Sequence, residues 1–321
     1  MKSLQRHLND YLLMRRALGF VLKRQGKALV NFVSFMEQSQ AKHISIELAL
    51  KWAQQPSSAK PATWAARLGY VRGFAQYIRA FDPRTEIPPE KLLPHQPKRA
   101  QPYIYSQREI KALMAAALKL PLCCTFTEGS LLKRQTYYVL IGLLAVTGMR
   151  ISEATNLKIR NVDLRRGVIT IEKGKLGKSR LLPLHASTVK VLAKYLELRG
   201  QYSQGNSSEL LFINRVGKQL DQGTIRRTFY ALSWSAGLRR KRVCATGKFT
   251  GPRIHDLRHQ FAVQTLLRWY QKGEDAEQKL PMLSTYMGHV HVSDTYWYLT
   301  SYPELMRRGV DRLEKRWEAS L

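Results

Sequence analysis

The sequence predicts a mainly helical chain with one small β-sheet, divided into two domains near residue 100. Three features carry that expectation. Apolar residues recur at helical spacing through residues 4–80 and again in the second half. Six prolines, at 83, 88, 89, 94, 97 and 102, punctuate the stretch between Asp82 and Pro102. One stretch alone, residues 167–184, reads as two strands joined by a glycine-containing turn.

In the first domain, residues 1–100, Leu29, Val30, Phe32, Val33 and Met36 form one apolar stripe, and Trp64, Leu68, Val71, Phe74, Ala75 and Ile78 form another. The second opens with Pro61, a residue suited to a helix start because its missing N–H is unpaired there anyway. Arg67, Arg72 and Arg79 interrupt its apolar positions. They read either as a solvated face or as contacts for phosphates. Residues 82–102 cannot continue a helix and read as a semi-rigid linker.

The second domain, residues 101–321, begins with Ser106 and Glu109 at capping-box spacing. Residues 137–147 are apolar nearly all round, as in a buried helix. Strands are expected over 167–172 and 179–184, with two glycines and three lysines in the turn between them. Further helices are expected at 186–199, 222–236, 258–270 and 303–318, and the polar run 271–279 reads as a loop insertion. Ser301 and Glu304 have the spacing of another capping box. Met306, Val310, Leu313 and Trp317 would then lie along one side of the last helix.

Charge narrows the function. The 53 Lys and Arg against 23 Asp and Glu leave a net +30, which calls for a polyanionic partner, with nucleic acid first. Residues 1–102 carry 17 basic and 6 acidic side chains, and the remainder carries 36 and 17. Both halves are therefore expected to touch the polyanion. Cys123, Cys124 and Cys244 have neither metal-ligand nor disulfide-framework spacing. No apolar run approaches the length of a membrane span, and the N-terminus lacks the apolar core of a signal peptide. The expectation is a cytoplasmic, nucleoid-associated protein that needs no membrane.

The motifs that suggest chemistry are Thr147-Gly148-Met149-Arg150-Ile151-Ser152-Glu153, His255-Asp256-Leu257-Arg258, and Gly288-His289 followed nine residues later by Tyr298. Guanidinium forks suit the growing charge on a phosphodiester under attack. Glu153 is three residues beyond Arg150, close enough to orient it. Phenol is an apt nucleophile, since a phosphotyrosyl ester can be reversed by a DNA hydroxyl. Tyr296, Tyr298 and Tyr302 all lie in the right region, and position alone does not choose among them.

In order and neighbours these motifs resemble the tyrosine recombinase (phage integrase) family, and the resemblance covers essentially the whole chain. It implies a helical, SAM-like core-binding domain over 1–100 and a mixed α/β catalytic domain over 101–321. It selects Tyr298 as the nucleophile and gives the phosphate to Arg150, Arg258 and His289. It gives proton transfer to His255 and to a hairpin lysine, Lys175, with Lys173 and Lys178 as alternatives. His259 and His291 are left as structural neighbours. The resemblance implies no metal and no nucleotide cofactor. Its partners are double-stranded recombination sites and a homo-tetramer, with the last helix docking on a neighbouring protomer and Trp317 as its anchor. Two other readings stay open, a type IB topoisomerase-like enzyme and a non-catalytic DNA-binding architectural protein.

Overall fold

The structure, a computed structural model, describes residues 3–94, 101–121, 128–172, 179–202, 208–214, 216–239 and 251–318. The chain divides into two compact units, Met1–Ala100 and Gln101–Leu321. Among the described residues no helix is long and apolar enough to cross a membrane.

The first unit is helical: α1 (Leu4–Ala17), α2 (Lys23–Gln38), α3 (Ile46–Gln54) and α4 (Pro61–Ile78). Ser3 and Ser45 each accept a backbone N–H from the first turn that follows, and Pro61 opens α4. Leu29, Phe32, Val33 and Met36 from α2 meet Leu68, Val71, Phe74 and Ile78 from α4 in one core, whereas Val30 is exposed. Two of the arginines on α4 serve the fold. Arg67 stacks on Trp52 at 3.8 Å and donates to the Trp52 carbonyl at 2.8 Å. Arg72 donates to the carbonyls of Pro88 and Pro89 at 2.7 and 2.6 Å. The start of the proline-rich segment is thus tied to this unit, with Ile87 and Leu93 packed on its core. The bound carbonyls and partly buried side chains fix the path of this part of the expected semi-rigid linker.

The second unit holds α5 (Gln107–Leu118), α6 (Glu128–Thr147), α7 (Ile151–Asn156), β1 (Val162–Asp163), β2 (Val168–Ile171), β3 (Arg180–Pro183), α8 (Ala186–Tyr202), α9 (Gln222–Ser235), α10 (Asp256–Gln271), α11 (Ala276–Met287), α12 (Ser293–Ser301) and α13 (Pro303–Glu318). The Ser106–Glu109 capping box is formed. The strands make an antiparallel sheet in the order β1-β2-β3, with Ile169 opposite Leu182.

Two expectations from the sequence are corrected by the structure. The polar run beyond Arg258 is not one long loop. It is a short turn after α10, and α11 starts at Ala276 with Asp275 as its cap. Leu280, Leu283 and Met287 recur on its buried side. The tyrosine-bearing segment is itself a helix, α12. Ser301 is the last residue of α12, so the position just before α13 belongs to Tyr302 and not to Ser301. Of the apolar side chains described on α13, Leu305 is buried and Met306, Val310 and Trp317 are exposed; that of Leu313 lies outside the described residues.

Candidate active site

The buried helix α6 ends at Thr147, and Gly148 turns the chain with φ +60°. A side chain at Gly148 would strike the Phe261 ring at 2.5 Å, so glycine is required where this turn meets α10. Two residues on, Arg150 occupies the N-cap position of α7. Its backbone N–H donates to Glu153 Oε2 at 2.8 Å, and its Nη1 donates to Glu153 Oε1 at 2.9 Å. Its Nη2 donates to the Gly288 carbonyl at 2.7 Å.

Arg258, on the first turn of α10, is 3% exposed. It donates through Nη1 to Gly148 O and through Nη2 to Met287 O, both at 2.7 Å. Each arginine therefore clasps backbone beside the other motifs, Arg150 at residue 288 and Arg258 at residues 148 and 287. A guanidinium has about five N–H donors, so these contacts fix each fork and leave further donors for an anion. Burial, and then the charge of Arg150, lowers the Arg258 pKa to about 10, which keeps it cationic at neutral pH.

A third arginine joins them. Arg180, the first residue of β3, donates to both Glu153 oxygens at 3.0 and 2.7 Å and to the Tyr286 carbonyl at 2.7 Å. Gly288 ends α11 in the left-handed conformation, φ +66°, and a side chain there would meet Arg180 Nη1 at 2.8 Å. One carboxylate thus serves two guanidiniums, and the Arg150–Arg258–Arg180 cluster carries excess positive charge. Burial alone would raise the Glu153 pKa, but hydrogen bonds from Arg180 and Arg150 outweigh it and bring the value down to about 2.

Beyond Gly288, His289 places Nδ1 2.7 Å from the hydroxyl of Thr295, which is fully buried. Burial, followed by Arg258 and Arg150, lowers the His289 pKa to about 4, so the ring is neutral at neutral pH. Burial and Arg258 also lower that of His255. Tyr298 is 2% exposed and lies 6.1 Å from the His289 ring in a stacked arrangement. Tyr296 is 50% exposed.

Arg150, His255, Arg258, His289 and Tyr298 are therefore brought together by α7, α10 and α12 and the turn after α11. Lys175, like Lys173 and Lys178, lies outside the described residues. Sequence reasoning passed over three further participants. The sequence marks Arg180 only as part of a strand. Thr295 carries no signal beyond its place between His289 and Tyr298. His259 was read as a structural neighbour, yet its Nδ1 is 3.2 Å from the Tyr298 hydroxyl; its position four residues after His255 was the available clue. Among the described residues no group of three or more His, Cys, Asp or Glu is placed to hold a metal ion.

Comparison with known proteins adds a family-scale match. The model of the phage integrase family matches residues 105–304. A putative integrase/recombinase of Sinorhizobium fredii, y4rB, is 52% identical over 99% of both chains. The tyrosine recombinase XerD of Pseudomonas aeruginosa is 30% identical, over 74% of this chain and 71% of its own. Among solved structures, XerH site-specific recombinase bound to a palindromic difH substrate is 22% identical with a TM-score of 0.63, over 89% of this chain and 78% of that one. The Tn1549 transposon integrase in complex with transposon right-end DNA is 15% identical with a TM-score of 0.62, over 98% and 100%. These two structures share the fold.

Proposed function

The chain belongs to the phage integrase family, the tyrosine-type site-specific DNA recombinases, and we propose that Tyr298 is the nucleophile with which it breaks and rejoins DNA. The observation that carries this reading is the convergence of a buried tyrosine, two histidines and two backbone-anchored arginines. Tyr298 Oη attacks the scissile phosphorus, leaving a 3′-phosphotyrosyl ester and a free 5′-hydroxyl. Arg150 and Arg258 hold the non-bridging oxygens, where negative charge grows in the transition state. His289, its Nδ1 engaged by Thr295, turns Nε2 to the phosphate. His255 assists the proton leaving Tyr298, and Lys175 supplies the proton to the departing 5′ oxygen. The phosphotyrosyl ester keeps the energy of the broken bond, so rejoining is the same reaction run backward.

The partner is duplex DNA, contacted by both basic units, and the working assembly is a homo-tetramer on two paired sites that exchanges strands through a Holliday junction. Support for assembly comes from α13. Leu305 is buried in the core of its own unit, while Met306, Val310 and Trp317 present apolar side chains outward. The test of the central reading is Tyr298→Phe, incubated with a nicked recombination site and analysed for SDS-resistant complex. The expected result is DNA binding without covalent adduct. An adduct that survives in the variant, or that maps to Tyr296, refutes it.

A further inference from the structure

His259 follows Arg258 on α10, and its Nδ1 lies 3.2 Å from the hydroxyl of Tyr298. Its ring is wedged in place. It meets His255 edge-on with centroids 4.9 Å apart and Trp297 edge-on at 5.3 Å. Trp297 in turn packs edge-on against the Tyr298 ring at 5.4 Å. His255 and His259 are four residues apart, so they share a face of the helix. An imidazole held by two rings has little rotational freedom, and the nitrogen it offers to the phenol is a fixed one.

We infer that His259 is a positioning residue for the nucleophile: its Nδ1 accepts the Tyr298 O–H and so aims the remaining lone pairs of that oxygen at the phosphorus. The inference rests on the reading of Tyr298 as nucleophile. The physical argument is orientational. A phenolic hydrogen has two in-plane settings, and a hydrogen bond to a fixed acceptor selects one. Attack requires the reacting atoms to be aligned at roughly 3–3.5 Å, and a misplacement of about 1 Å can cost on the order of 10²-fold in rate. The bond requires the tautomer that carries its proton on Nε2, since Nδ1 must be the acceptor. The one phenolic proton leaves along this bond to Nδ1 as the oxygen attacks, and His255, edge-on to His259 at 4.9 Å, assists that departure through its neighbour.

The experiment follows single-turnover adduct formation on a nicked site by the full-length protein, with His259 replaced by Leu, Asn or Gln. An Asn amide reaches about as far as Nδ1 of histidine, whereas a Gln amide reaches about as far as Nε2. His259→Leu is expected to slow adduct formation by roughly 30- to 100-fold, with DNA affinity and thermal midpoint close to the parent. His259→Asn is expected to recover most of that loss, and His259→Gln to stay with Leu. A Leu variant as fast as the parent overturns the inference, and so does indistinguishable behaviour of Asn and Gln. If the Leu variant does not fold, the Asn–Gln comparison decides alone. Tyr298→Phe is run beside them: an adduct there refutes the nucleophile itself, whatever the His259 variants do.

Discussion

Glu153 is the buried carboxylate on which the arginine cluster depends, and replacing it with glutamine tests that dependence. Its two oxygens accept from Arg150 N at 2.8 Å, Arg150 Nη1 at 2.9 Å, and Arg180 Nη1 and Nη2 at 3.0 and 2.7 Å. The Glu153 and Arg180 side chains are 6% and 9% exposed. Glu153→Gln keeps the shape but removes the charge, and its NH2 would face a guanidinium donor to donor. Breaking a buried ion pair by altering one partner costs about 3–5 kcal/mol. The pKa leads to a similar size. A carboxyl brought from 4.5 to about 2 on folding contributes about 3 kcal/mol at neutral pH. For a unit of this size about 1 kcal/mol moves the thermal midpoint by roughly 2–4 °C, so a fall of about 6–20 °C is expected at pH 7.

The pH dependence has a definite sign. The folded pKa lies below the unfolded one, so this contribution is complete above pH 4.5 and disappears as pH falls toward 2. Urea titrations across that window should show a steeper acid loss for the parent than for Glu153→Gln, with the two curves converging at the acid end. A midpoint lowered by less than about 2 °C, or equal acid slopes, would show that the carboxylate is not what holds the two guanidiniums in place.

Two further outcomes follow from the same geometry. Arg258→Lys keeps the charge, but an ammonium cannot span Gly148 O and Met287 O and still present a planar fork. Single-turnover cleavage should fall by roughly 10²–10³ while DNA affinity stays within a few-fold; equal losses in both would mark Arg258 as an ordinary backbone contact. Trp317→Glu and Met306→Glu alter exposed positions on α13. They should leave single-site cleavage and folding intact, within about 0.5 kcal/mol for stability, and lower recombination between two sites. Retained two-site recombination in the double variant would exclude this face from assembly. Truncation after Tyr302 is a poorer test, because it also removes the buried Leu305.

The parts of the fold that could be read from sequence are those set by neighbours in the chain. The Ser106–Glu109 box and Pro61 at the start of α4 depend on a few adjacent residues, and both were legible. Helix α11 was not. Pro281 lies inside it, the polar run 271–279 overlaps its start, and the apolar period of Leu280, Leu283 and Met287 emerges only past both. What holds its end is long-range: Arg258 takes the Met287 carbonyl and Arg180 takes that of Tyr286. Arg67 and Arg72 failed for a related reason. A charge in a basic chain says nothing of whether its donors meet phosphate or the carbonyls of Trp52, Pro88 and Pro89.

At the candidate site, the sequence names five residues that the fold gathers, while the contacts that orient each group were not legible. The nine-residue interval from His289 to Tyr298 shows why such spacing is informative at all. Gly288 turns the chain out of α11, and His289 Nδ1 meets Thr295 on the first turn of α12. Three residues further, about one helical turn and 4.5 Å along the axis, Tyr298 comes round to the same side and stacks beneath His289. Tyr296 is two residues away, about 200° around the helix, and faces solvent. The interval therefore encodes a turn, a cap-like contact and a helical phase together. A shift of one residue would carry the phenol about 100° away from His289 and His259. Sequence could supply the number but not its cause, because Thr295 and His259 act only through contacts that the fold creates.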